Sequence, residues 1–329
     1  MRAITYDRFG DAHDVLALED LPTPSPKNGE VLVRLATSGV NPSDVRARAG
    51  GRPGVVTPPF PKIIPHSDGA GVIEAVGEGV PASRVGQRVW IWNGQWKRAF
   101  GTAAEYIAAP SEQAPPLPDH ISFEDGACLG IPALTACHAV LGRGPVRGLN
   151  VLVSGGAGTV GRLAVQAAVA SGATVFTTVR GAASEADMRG LGAHHVFDYG
   201  DEDLSEQILA ASSGAPMDRI IEVEFGKNLK TDTAVIAEGG VITSYGSATD
   251  MTPVLPFYPL MFKAVTIELM LVYVLRKDAR DRAVAAWDAL LHAKALDFQI
   301  GVVFALADCA QAHGKAAAGG RNGAIILSC

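Results

Sequence analysis

Along roughly the first 120 residues, apolar and polar positions alternate with a period of two. Glu30 to Leu35 (EVLVRL), 70–77 (AGVIEAVG), 86–92 (GQRVWIW) and 103–109 (AAEYIAA) are short runs of this kind. Glycines and prolines bound them, among them Pro22, Pro24, Pro26, Pro58, Pro59 and Pro61, so each run predicts a strand. From about residue 123 the period changes. Residues 127–141 are small and apolar and predict a buried helix. Beyond them, strands are predicted at 150–154, 173–179, 195–199, 219–223, 241–244 and 265–274, with helical stretches between most of them. A further helix is expected at 281–292 and a last strand at 323–327. Alternating strands and helices imply an α/β class fold, a doubly wound parallel six-stranded sheet of the Rossmann type, beside a mostly β domain.

Composition narrows the classes. Hydrophobic residues are 48% and charged residues 19% of 329, too apolar for a disordered chain. Lys and Arg number 28 against 34 Asp and Glu, a net charge of -6, which argues against a protein built to grip nucleic acid. No uninterrupted apolar run approaches the ~18 residues of a membrane span. The closest, 265–275, is broken by Glu268. The N-terminus lacks a secretory pattern, and the four cysteines show no C-x-x-C spacing. A reduced, cytoplasmic protein without a membrane partner is expected.

The most specific chemistry follows the strand 150–154. It runs into Gly155-Gly156-Ala157-Gly158-Thr159-Val160-Gly161, in which Gly156, Gly158 and Gly161 give G-x-G-x-x-G. Val160, Leu163, Ala164, Ala167 and Ala168 then fall at helical spacing, and Gly172 ends the helix. The first glycine permits the turn, the second lets a pyrophosphate approach the backbone, and the third packs helix on strand. The helix start offers its free N–H groups to the anion. The next strand ends Thr177-Thr178-Val179-Arg180, with Ser184 close by and no acid at its tip. An acid there would hold the ribose of NAD; a planar cation suits a 2′-phosphate, so NADPH is the expected cofactor.

Residues 66–80, His66-Ser67-Asp68-Gly69 onward, resemble the G-H-E-x-x-G-x-V-x-x-V-G segment of zinc alcohol dehydrogenases, and the chain looks like a medium-chain dehydrogenase/reductase. In those enzymes the histidine binds zinc. Here the position of the first ligand is Asn41 and that of the third falls near Ile131, and the span from Trp92 to Tyr106 lacks the cysteines of a structural zinc lobe. A catalytic zinc needs three protein ligands, so no metal is expected. Without zinc the resemblance sharpens to the quinone oxidoreductases, the zeta-crystallin-like branch. Gly39-Val40-Asn41-Pro42-Ser43-Asp44, 101–106 (GTAAEY), 130–136 (GIPALTA), 154–161, 192–199 and 238–242 match their segments in order.

That resemblance implies a GroES-like catalytic domain over 1–122 and 274–329 and an NADP-binding domain over 123–273. It implies Asn41 near the nicotinamide, Thr135 lining the nicotinamide pocket, Tyr199 beside Arg180 at the 2′-phosphate, and Ser244, Tyr245, Gly246 and Ser247 under the nicotinamide side. Where these enzymes often carry tyrosines in the substrate cleft, this chain has Arg46 and Arg52, which suits an anionic or carbonyl-bearing acceptor. The reading is an NADPH:quinone oxidoreductase-like enzyme that passes hydride to a quinone or an activated alkene without zinc. Asn41, Arg46, Arg52 and His66 are the candidate donors to the developing charge. The alternatives are a zinc alcohol dehydrogenase and a non-catalytic NADPH-binding sensor or structural protein. The apolar run 265–274, last in the strand order, is an open edge that predicts a homodimer.

Overall fold

A computed structural model describes residues 1–52, 54–293, 296–320 and 323–329. In chain order the strands are β1 (Arg2–Thr5), β2 (Ala17–Asp20), β3 (Glu30–Val40), β4 (Asp68–Val76), β5 (Arg88–Ile91), β6 (Tyr106–Pro110), β7 (Asn150–Val153), β8 (Thr174–Val179), β9 (His195–Asp198), β10 (Met217–Glu222), β11 (Ile236–Ser244), β12 (Thr266–Leu269), β13 (Ile300–Ala305) and β14 (Ala324–Ser328). They fall into two compact units, one of Met1–Ile131 with Phe298–Cys329, the other of Pro132–Asp297.

In the first unit the sheet runs β13-β14-β3-β4-β5, with β6 also paired to β3. Strand β3 is the hub because it is long enough to carry β4 along one edge and both β6 and β14 along the other. Its alternation buries Val31, Val33 and Leu35 with Ile73, Val89, Ile91 and Ile107. Strand β13 was not legible as an element, although its exposure alternates along its whole length.

In the second unit the order is β12-β11-β10-β7-β8-β9, every neighbouring pair parallel. Counted from β7 this is 3-2-1-4-5-6, the doubly wound order that the alternation predicted. Strand β8 is buried on both faces, as a central parallel strand must be, which is why its sequence is a continuous apolar and threonine run. Leu152, Phe176, Ile220 and Ile242 from four neighbouring strands share one core with Leu229 and Val235.

Three expectations are corrected. The segment 127–141 is not one helix. A helix at Phe123–Gly126 is followed by a π turn at Leu129–Ala133, which contains Pro132, and then by the helix Leu134–Leu141. The sixth strand is four residues long, and Val272–Val274 is a 3-10 turn rather than its continuation. The segment from 274 to Asp297 belongs to the second unit. Its helix Lys277–His292 buries Trp287, whose indole N–H donates to the Ala133 carbonyl.

Candidate active site

The phosphate turn is built as its glycines require. Gly155 has φ 69°, and a Cβ on Gly156 would lie 2.1 Å from Thr177 Oγ1, so the chain can turn there only without a side chain. At Gly161 a Cβ would meet the Gly155 carbonyl at 2.2 Å, the close contact that packs the helix Thr159–Ala170 against its strand. Gly158 is different. Its Cβ would have only the Gly155 carbonyl, at 3.3 Å, as a neighbour, and the residue is exposed as the helix N-cap. The space over Gly158 is therefore open, and Ala157, Thr159 and Val160 flank it half-buried. From Gly161 to Ala168 the helix is buried on every side rather than along one stripe, with Gln166 bonded to the backbone of Asp297.

Thr178 holds this turn in shape: its hydroxyl accepts from the Gly155 N–H at 3.1 Å. At the tip of β8, Arg180 is exposed, its guanidinium 4.9 Å from the Tyr199 ring. Lys227 reaches the same ring at 5.3 Å, a second cation that the sequence did not point to because it lies on another helix. Ser184 is half-buried in the first turn of the helix Ala182–Gly190, and the neighbouring Glu185 is paired with Arg189 at 2.9 Å. The tip therefore carries two cations around an aromatic ring; of its acids, Glu185 is paired with Arg189, and Asp198 beside Arg180 accepts from the Gly181 and Gly200 N–H groups.

Ser244 to Ser247 sit at the carboxyl end of β11, where ligands bind in doubly wound sheets. Ser247 accepts from the Gly226 N–H at 2.8 Å, and Tyr245 N donates to the Glu222 carbonyl at 3.0 Å. Gly246 passes so close to Val223 that a Cβ would lie 2.5 Å from its carbonyl. Thr135 is buried in the helix Leu134–Leu141.

In the first unit, Asn41 caps the helix Pro42–Arg48 and its N–H donates to Asp44 at 2.8 Å. Its side-chain amide donates to Asp68 at 2.8 Å, and the Ile131 N–H donates to both Asp68 oxygens at 2.9 Å. Asp68 is fully buried. Burial, reinforced by the charge of Asp44, holds its carboxyl well above the ordinary range despite these donors. Burial likewise pushes Asp44 up to about 7. So the two positions that the zinc enzymes fill with ligands here carry an amide and a peptide N–H, both turned onto one carboxyl. These residues do not fit the family's catalytic zinc.

His66 is 1% exposed with φ 75°, and its ring nitrogens lie 3.0 Å from Ser38 Oγ and 2.8 Å from His313 Nε2. Both nitrogens are engaged inside the domain, so His66 does not present a donor to an acceptor, contrary to its reading as a cleft residue. Arg46 is exposed and lines no cavity among those described. Arg52 does line one, a cavity of about 340 Å³ walled by Tyr6, Phe9, Phe60, Trp96 and Lys97 among others. The guanidinium of Arg52 lies 5.5 Å from the centre of the Trp96 ring, and Lys97 Nζ 5.9 Å. The aromatic walls come from segments far apart in sequence, which is why they were not singled out from it.

Two family models match this chain: an alcohol dehydrogenase GroES-like domain over residues 27–119 and a zinc-binding dehydrogenase over 159–288. Together with the glycine turn and the two units, they define an oxidoreductase, and the chain belongs to the medium-chain dehydrogenase/reductase superfamily. Within it the chain is similar to the quinone oxidoreductases. That of Sus scrofa is 31% identical over 319 residues, 95% of this chain and 93% of the relative. Among solved structures, an NAD-dependent alcohol dehydrogenase matches with TM-score 0.88 and 26% identity over all of both chains. A mycobacterial protein complexed with NADPH matches with TM-score 0.86 and 25% identity, also over all of both.

Proposed function

We propose that the protein is an NADPH-dependent, zinc-independent reductase that passes hydride to a quinone or an activated alkene or carbonyl. The observation that carries the cofactor half is the tip of β8, where Arg180 and Lys227 flank Tyr199 and Glu185 is paired elsewhere. Two cations and a ring favour an adenosine 2′-phosphate, and the open space over Gly158 admits a pyrophosphate. The nicotinamide supplies the hydride. Asn41, its amide aligned by Asp68, is the residue that the resemblance puts at the nicotinamide. The resemblance also assigns Thr135 and the Ser244–Ser247 turn of the second unit to nicotinamide binding. The similarity to quinone oxidoreductases supports the acceptor class.

The aromatic cavity is the acceptor site in this reading. Four rings offer faces to a planar molecule, and Arg52 and Lys97 offer positive charge to an oxygen that gains electrons or to an anionic substituent. NADPH oxidation measured against a neutral ortho-quinone, a carboxylated quinone and an enone tests it. Arg52→Ala should raise KM for the carboxylated quinone by roughly tenfold, the worth of one charge-assisted contact, and leave the neutral quinone within about twofold. Equal loss on both quinones contradicts the assignment of Arg52. No turnover of any acceptor, with NADPH bound, leaves the non-catalytic alternative standing instead. Activity should survive chelators.

A further inference from the structure

The reaction proposed above leaves one buried cluster unused. Cys309 and His313 stand one turn apart on the helix Cys309–Ala317, and both face His66. We propose that Cys309, His313 and His66 bind one thiophilic d10 metal ion in a buried three-ligand site, either monovalent copper held three-coordinate or zinc completed by one further light-atom ligand. Of the three, only His66 belongs to the family's zinc positions, and the proposal does not depend on the reductase reading.

Two observations carry it. First, one ligand atom from each residue lies within 4.8 Å of the others, with 2.8 Å between the two Nε2 atoms and 4.0 Å from Cys309 Sγ to His66 Nε2. Each residue is at most 1% exposed. Second, the histidine is oriented as metal ligands are. Thr102 donates its hydroxyl to the Asp68 carbonyl at 2.6 Å and therefore accepts from Ser38 at 2.9 Å. Ser38 in turn accepts from His66 Nδ1 at 3.0 Å. This chain of donors puts the proton on Nδ1 and leaves the Nε2 lone pair directed at the cluster. His313 is fully buried, and its Nδ1 has no hydrogen-bond partner among the described residues. With no metal, His313 donates its Nε2 proton to His66, which strands that second nitrogen.

Metal binding leaves that nitrogen without a partner, as an N–H in place of a lone pair, so the clustering of the three ligand atoms and the orientation of His66 carry the proposal. The ion takes the place of the Nε2 proton of His313, which moves to the vacant Nδ1, so the ring stays neutral. The Cys309 thiol gives up its proton to solvent, and one proton leaves per ion bound. Metal–nitrogen bonds of ~2.0 Å and a metal–sulfur bond of ~2.3 Å need N···N of roughly 3.3–3.5 Å and S···N of roughly 3.6 Å. The histidines part by about half an ångström, and Cys309 Sγ closes by a few tenths on His66 Nε2. Asp44 and Arg48 are the charged groups acting on the cluster, with opposite signs. A thiolate and two imidazoles around Cu⁺ carry no net charge, and around Zn²⁺ one positive charge.

The test is metal content of the full chain purified from cells grown with added Zn²⁺, Cu²⁺ or Co²⁺. Wild type should retain about one equivalent in the zinc or copper arm, with Cys309→Ser and His313→Gln each losing at least fivefold. Which of those two arms fills separates the ions. The cobalt protein should show a thiolate-to-metal charge-transfer band. X-ray absorption at the edge of the retained metal, on wild type alone, should give one sulfur and two imidazole nitrogens among its neighbours, so the result stands even where a variant fails to fold. Less than about a tenth of an equivalent in every arm, or a nitrogen- and oxygen-only shell, overturns the proposal.

Discussion

Asp44 shows how one carboxyl can set the response of the catalytic-type domain to pH. Its folded pKa, pushed up to about 7 by burial, lies above the 3.8 of an unburied aspartate. The folded state therefore holds a proton that the unfolded chain has released. The stability this contributes is present at low pH and is lost as pH rises through the folded value, so it declines between about pH 4 and 7. Asp44→Asn keeps an oxygen for the Asn41 N–H and cannot ionise. Its melting temperature should exceed that of wild type by several degrees at pH 8, about 2–4 °C per kcal/mol in a protein of this size, with the two converging near pH 4. Thermal melts across that range check this. A gap that grows toward low pH contradicts the assignment.

Among the elements, those with a local signature were legible and those made by tertiary contact were not. The strand β7, its glycine turn and the following helix announce themselves because a steric need falls on three spaced residues, and the structure gives Gly156 and Gly161 close contacts and leaves open space over Gly158. The cofactor tip was half legible: Arg180 ends a strand, but Lys227 arrives from the helix Phe225–Val235. The π turn Leu129–Ala133 was missed because periodicity alone reads its small apolar residues as helix. Its shape follows from Asp68, whose carboxyl draws the Ile131 N–H out of the helical ladder. Gly130 makes room for that carboxyl, since a Cβ there would sit 2.0 Å from Asp68 Oδ1. Gly130→Ala should therefore destabilise by roughly 1–3 kcal/mol, an overpacked site, and denaturant unfolding measures it. A loss under about 0.5 kcal/mol would mean that the turn and carboxyl yield freely. Cys309 and His313 were not singled out from the sequence, because nothing local ties them to His66, more than 240 residues away.

At the scale of the molecule, the open edge of the second sheet is short but apolar around it. Strand β12 ends the sheet, Leu269 is 75% exposed and Leu271 49%, and the helix Phe257–Phe262 nearby exposes Phe257, Tyr258 and Phe262. An apolar edge of this kind predicts a covered one, and a two-fold pairing of β12 closes it. Light scattering at micromolar concentration should give the mass of two chains, and Leu269→Lys should shift it toward one. A single-chain mass for wild type contradicts the pairing.

The account as a whole rests on which dinucleotide the second unit selects. Isothermal titration of wild type and Arg180→Ala with NADPH and with NADH measures this directly. Wild type should bind NADPH at least tenfold more tightly, and the substitution should remove most of that preference by weakening NADPH alone, a change of about 1.5–3 kcal/mol. Equal affinities in wild type, or equal losses for the two cofactors in Arg180→Ala, would contradict it.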